Sequence, residues 1–62
     1  MLYHVTAVGS DGRERGAWIV DAESAADAKV KGAREVRDSR TLPVDDYTFT
    51  TYRCTVAGRK VT

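Results

Sequence analysis

This 62-residue chain has one cysteine, one histidine and one proline, and the first two scarcities each exclude something. With Cys54 alone, no intramolecular disulfide can form. One His and one Cys cannot supply the ligand set of an ordinary zinc site, so no metal or other cofactor is expected. Nucleophilic catalysis is left with one candidate imidazole, His4, beside Cys54 or a serine. Gly9-Ser10-Asp11-Gly12 is too loose for a phosphate-binding loop, and strand-forming residues rather than a helix follow it. No apolar run approaches a membrane span. Met1-Leu2-Tyr3-His4-Val5 has neither the basic start nor the apolar length of a signal peptide. A lone free cysteine fits a reducing compartment, so the expected location is cytoplasmic, with no membrane partner.

Large apolar side chains are also few: one Trp, one Phe and three Tyr, with Leu2, Ile19, Leu42 and several Val. A chain this short is one domain at most, here residues 1–62, and its core must be thin. Small domains often gain stability from disulfides, metals or association. The first two are excluded, which makes association, and a homodimer in particular, the expectation.

Charge of one sign is not in excess either: ten Lys and Arg stand against nine Asp and Glu, a net +1. That balance argues against a protein whose main task is to hold a polyanion. The distribution is uneven, with residues 1–28 at −3 and residues 29–62 at +4. Acids at a helix start and bases towards its end account for much of this through the helix macrodipole.

What is present is a clear succession of elements. Residues 2–8 read as a strand, and residues 17–22 as a second, joined through Asp11-Gly12 as a hairpin. Pairing Val8 with Ala17 sets Ala7 opposite Trp18, Val5 opposite Val20, His4 opposite Asp21 and Tyr3 opposite Ala22. Tyr3, Val5, Ala7, Trp18, Val20 and Ala22 then share one face. Ser24 followed three residues later by Asp27 is a capping box, so a helix is expected over 25–37, with Asp27 and Lys31 at ion-pairing distance in sequence. Its expected apolar arc holds Ala25, Ala26, Ala28, Val30, Gly32, Ala33 and Val36, with Lys29 packing through its stem. Asp27, Lys31, Arg34 and Glu35 are expected on a solvated side. The small residues of the arc imply close helix–sheet contact. Pro43 interrupts a connector, and residues 47–56 form the most β-prone stretch. Its apolar phase changes from Tyr47 and Phe49 to Tyr52, Cys54 and Val56. That requires either a bulge near Thr50–Thr51 or cover on both faces. Residues 57–62 are a tail that turns back or frays.

The order β-β-α-β with a right-handed crossover gives an α+β mini-domain: a three-stranded antiparallel or mixed sheet of order 2-1-3, with one helix on one face. The Val-x-Ala-x-Ser junction from Val20 to Ser24 speaks to fold only. The other sheet face is expected to be bare. It would carry Leu2, His4, Thr6 and Ile19, with Phe49 or Arg53 from the third strand, and apolar groups so gathered mark a protein interface. Cys54 is expected to point inward and His4 outward, which separates thiol from imidazole. Asp45-Asp46 reads as a solvated turn.

The expected function is therefore non-enzymatic: a small regulatory or inhibitory protein acting on another protein through its open sheet face. As a Met-initiated chain of this length it resembles in size the small regulators of viral and mobile-element genomes. The alternative is a nucleic-acid-binding accessory protein, in which Tyr52 and Arg53 contact bases while Arg13 and Arg15 on the hairpin reach phosphate.

Overall fold

A computed structural model describes residues 1–61. The elements are β1 (Leu2–Val8), β2 (Glu14–Asp21), α1 (Ala25–Asp38) and β3 (Thr48–Arg53). They form one antiparallel sheet of order β2-β1-β3 with α1 packed against one face. The α+β mini-domain expected from the sequence is thus the observed architecture.

The hairpin is tighter than expected, and this moves the register. Gly9 N–H donates to the Arg13 carbonyl at 2.8 Å, and Gly12 N–H to the Gly9 carbonyl at 2.9 Å. Gly12 sits at φ +81°, a conformation that costs glycine nothing. The Asp11 side chain accepts from Arg13 N–H at 3.0 Å, an Asx-type support for the turn. A five-residue turn lets β2 start at Glu14, not at residue 17. Val8 pairs with Glu14 and Ala7 with Gly16, which leaves Arg15 as the extra residue of a bulge. Beyond it Val5 pairs with Trp18, His4 with Ile19 and Tyr3 with Val20. The shift from the expected register is two residues, so the faces are unchanged but the neighbours are not. His4 lies opposite Ile19, and Asp21 opposite Leu2.

The helix-facing side of the sheet carries Tyr3, Val5 and Ala7 in the centre. With Ala22 and Ala28, Tyr3 and Val5 form the buried core, and Val20 and Phe49 pack against it. Val5 is the one large side chain that is fully buried among the described residues. Gly32 explains how the helix reaches it. A Cβ built on Gly32 would come within 2.5 Å of Val5 Cγ1 and 3.5 Å of Phe49 Cδ1. Glycine in mid-helix costs about 1 kcal/mol relative to Ala, and here the close approach to β1 requires it.

α1 starts as the sequence indicates. Ser24 is the N-cap in extended conformation, and its side chain accepts from Asp27 N–H at 3.1 Å. The Asp27 carboxylate reaches back to Glu23 N–H at 3.3 Å. The buried ridge is narrower than the expected arc. Ala28 and Gly32 are buried and Ala33 and Val36 half-buried, whereas Ala25, Ala26 and Lys29 are exposed and Val30 is 52% exposed. Lys31 is not simply solvated: its ammonium donates to the Asp21 carbonyl and lies 3.6 Å from Asp27. A helix resting on glycine sits so low that only its central ridge touches the sheet.

β3 has no bulge. Six consecutive pairs run from Tyr3–Arg53 to Val8–Thr48, and the strand is shorter than the expected 47–56. The phase change arises because both faces are covered. Phe49 faces the helix, while Tyr52 and Cys54 face the opposite side. There the chain turns back on itself: Cys54 bridges Lys60, Thr55 N–H donates to the Arg59 carbonyl, and Val61 N–H to the Arg53 carbonyl at 2.9 Å. Gly58, at φ +82°, makes this turn.

Candidate interaction surface

The sheet face away from α1 is the surface to which the sequence assigned binding, and it is built by strand alternation. Leu2, His4, Thr6 and Val8 come from β1, and Ala17, Ile19 and Asp21 from β2. Leu2, His4, Thr6 and Ile19 are therefore brought together as expected. Phe49 and Arg53 are not. Register with Ala7 and Tyr3 puts both on the helix-facing side, where Phe49 joins the core and Arg53 lies exposed at the strand end. Tyr52 takes their place. Its ring stacks on His4 with centroids 4.8 Å apart and planes inclined by 25°.

This face is not bare. The returning tail curls over it, so that a Cβ on Gly58 would stand 3.4 Å from Ile19 Cδ1. Tyr52 Oη donates to the Gly58 carbonyl at 3.5 Å. Thr6, at the centre of the face, is only 7% exposed, and His4 Nδ1 lies 3.4 Å from its hydroxyl. Cys54 continues the register opposite Leu2, its N–H donating to the Leu2 carbonyl at 3.0 Å. Thiol and imidazole thus belong to the same face, contrary to the expectation that they point apart. Cys54 is 7% exposed there. Ile19, at 45% exposure, is the largest apolar contribution of the strands to solvent, and Val56 and Val61 add apolar surface from the tail.

The hairpin arginines have acidic partners. Arg15 pairs with Asp11 at 2.6 Å, and Arg13 Nε lies 3.9 Å from the same carboxylate. Asp45 accepts from Ser10 N–H at 3.1 Å and latches the connector onto this turn. Its carboxyl is held below the ordinary value first by the Ser10 hydrogen bonds, then by Asp46 N–H and the Arg15 charge. At the other end of β2, the Met1 ammonium donates to Asp21 at 2.9 Å and holds that carboxyl below its ordinary value by hydrogen bond and charge. Asp45 is hence a fixed latch rather than part of a free solvated turn.

A groove of about 300 Å³ lies between the end of α1 and the connector, walled by Val36, Leu42, Pro43, Val44 and Tyr47. Tyr47 Oη closes its floor by donating to the Pro43 carbonyl at 2.5 Å. No cluster of three or more metal-ligating side chains exists among the described residues, and no described helix is long and apolar enough to cross a membrane. Comparison with protein-family models, curated proteins and solved structures finds no match to this chain.

Sequence reasoning left open whether the tail turns back or frays, and did not foresee that it covers the sheet face on which Tyr52 stacks against His4. The signal was the phase change to Tyr52, Cys54 and Val56, followed by Gly58. A second apolar phase in one strand asks for cover on its second face, and a glycine four residues beyond Cys54 allows the chain to supply it.

Proposed function

We propose that this chain is a small non-enzymatic binding domain that works by protein–protein interaction, as a homodimer that engages another protein. The observation that carries this reading is the mismatch between core and surface. The core cluster is Tyr3, Val5, Ala22 and Ala28, whereas Met1, Ile19, Val30, Val44, Val56 and Val61 are each more than 40% exposed. A chain with so little interior and so much unspent apolar surface is stabilised by covering that surface with protein. The pairing of Arg13 and Arg15 with Asp11 weakens the nucleic-acid alternative, since both hairpin arginines already face a carboxylate. The free Cys54 supports a reducing compartment such as the cytoplasm as the place of action.

The test is capture of partners from host lysate by the immobilised chain, with and without nuclease, comparing wild type with Ile19→Asp and Arg34→Ala. Protein captured in both conditions, and lost with Ile19→Asp but not with Arg34→Ala, supports the reading. Loss of a central apolar contact at Ile19 is expected to weaken binding by more than about 1 kcal/mol. Loss of every partner on nuclease treatment transfers the function to nucleic-acid binding.

A further inference from the structure

Two turns of this chain are built to one plan, and they are fastened differently. In residues 9–13, Gly9 N–H donates to the Arg13 carbonyl and Gly12 N–H to the Gly9 carbonyl, with Gly12 at φ +81°. In residues 55–59, Thr55 N–H donates to the Arg59 carbonyl at 2.9 Å and Gly58 N–H to the Thr55 carbonyl at 2.8 Å, with Gly58 at φ +82°. Both are three-residue hairpin loops, a type I turn followed by a left-handed glycine. The first is tied down by charged side chains: Asp45 takes Ser10 N–H, and Asp11 pairs with Arg15. Among the described residues, the second has one side-chain tie to the sheet, the 3.5 Å bond from Tyr52 Oη to the Gly58 carbonyl, and neither Arg59 nor Lys60 forms an ion pair.

The second turn nevertheless keeps its own shape. Besides its two backbone bonds, Thr55 Oγ1 accepts from Arg59 N–H at 3.2 Å. These three bonds lie within residues 55–59, so they survive movement of the turn as a whole. Docking on the sheet rests on less: Val61 N–H on the Arg53 carbonyl, the Tyr52 bond, and Gly58 against Ile19. Of residues 55–61 only Gly58 is half-buried, and the rest are exposed, Val56 at 85%. Little apolar area returns to water when such a piece lifts, so little hydrophobic free energy holds it down. Cys54 is different. Its N–H is held by the Leu2 carbonyl, it is 7% exposed, and Lys60 lies directly across from it.

The geometry points to a gate. Residues 55–61 swing away from the sheet about the Cys54–Thr55 link as one preformed turn, breaking the Val61 and Tyr52 bonds and keeping the three inner ones. The movement uncovers Ile19, Tyr52 and Cys54 on the outer face. In the closed state Gly58 stands against Ile19, where a partner's side chain would sit, so the face binds protein in the open state. This rests on the protein-binding reading above and adds its regulation: the apparent affinity is the intrinsic one reduced by the open fraction.

Cys54 reports the movement through its rate of labelling by a thiol reagent, measured on the full chain at low urea. The dye 8-anilinonaphthalene-1-sulfonate reports access to the apolar face, and the lysate capture above reports binding. Wild-type labelling is expected to be insensitive to low urea, because local opening exposes little surface. Val61→Pro removes the N–H that holds the Arg53 carbonyl, and labelling is expected to become about three- to tenfold faster, the equivalent of one net hydrogen bond. Dye binding and capture should rise with it. Lys60→Cys locks the gate instead. Positions 54 and 60 are a non-hydrogen-bonded cross-strand pair, where Cβ atoms lie close enough for a disulfide. Oxidised, this variant should bind less dye and capture less protein than wild type, and dithiothreitol should restore both. Equal labelling of wild type and Val61→Pro, or labelling that follows global unfolding in urea, overturns the gate. Capture that is equal or greater in the locked form also overturns it and leaves the protein-binding reading standing. Absence of capture by every form, Val61→Pro included, removes that reading and the gate with it.

Discussion

The two faces of the sheet are covered by different means, and the contrast explains where this protein is rigid and where it is open. On one face, α1 lies so close that Gly32 has no room for a methyl group over Val5. On the other, a short returning tail touches the sheet through Gly58, Ile19 and Tyr52, and the last contact is a long hydrogen bond of 3.5 Å. The first face is held by interdigitation and tolerates no change of volume. The second is held by one turn of chain and a few half-exposed side chains, as elements that open locally are. Cover by a helix stabilises the domain. Cover by a tail leaves Ile19, Val56 and Val61 exposed.

The largest effect should come from breaking the helix face. Val5→Ala is expected to cost roughly 2–3 kcal/mol by creating a cavity, and Gly32→Ala about 1–3 kcal/mol by overpacking. The two sites touch, so they should not be additive. In the double variant the new methyl occupies space that Val5 vacates, and the combined cost in urea unfolding should fall short of the sum by about 1 kcal/mol or more. Strict additivity would show that Gly32 does not sit against Val5.

Removing the helix cap should come next. Ser24→Ala is expected to lower stability by roughly 1 kcal/mol, because Asp27 N–H loses its acceptor. An unchanged melting temperature counts against the cap. On the other face, Gly58→Ala is expected to cost a similar or smaller amount, about 0.5–1 kcal/mol, since alanine strains the positive φ of that turn. Its distinctive signature lies elsewhere. Cys54 is buried beneath the tail, so loosening the turn should raise its rate of reaction with a thiol reagent well before global unfolding. If Gly58→Ala lowers stability with no gain in Cys54 reactivity, the tail is not what covers the thiol.

The smallest effects are electrostatic and lie at the ends of β2. Asp21 and Asp45 both have carboxyls held below their ordinary value in the folded chain. Each therefore contributes stability in full above the unfolded carboxylate value of about 4, and that contribution disappears as pH falls through the lower folded value. Both groups are at the surface, so the effect is modest. Melting temperature against pH should fall more gently on the acid side for Asp21→Asn and Asp45→Asn than for the wild type. Superimposable curves would mean that neither the Met1 nor the Ser10 contact persists in solution.

Much of the fold was legible in local patterns. Alternation in residues 2–8 and the Ser24–Asp27 spacing defined β1 and the start of α1. The small residues Ala28 and Gly32 announced the close helix. The binding face was only half legible. Leu2, His4, Thr6 and Ile19 followed from alternation along two strands. Phe49, Arg53 and Cys54 were assigned to the wrong sides because β3 satisfies two apolar phases at once, and a strand's own sequence does not say which phase meets the helix.

What the amino-acid sequence determined by itself were the properties set within a few residues or by composition: the strand β1, the helix start, the Asp11-Gly12 turn and the impossibility of an intramolecular disulfide. Capping, turn geometry and side-chain alternation act over one to four positions, so they can be read without a fold. What tertiary structure alone decided were the properties that compare distant segments. The tight turn and the bulge at Arg15 moved the β1–β2 register by two residues, giving His4 the neighbour Ile19 instead of Asp21. Pairing of β3 with β1 sent Phe49 to the core and Tyr52 to His4. The tail took the Arg53 C=O and the Thr55 N–H at the end of β3, because backbone groups are satisfied by whichever segment the fold brings within reach.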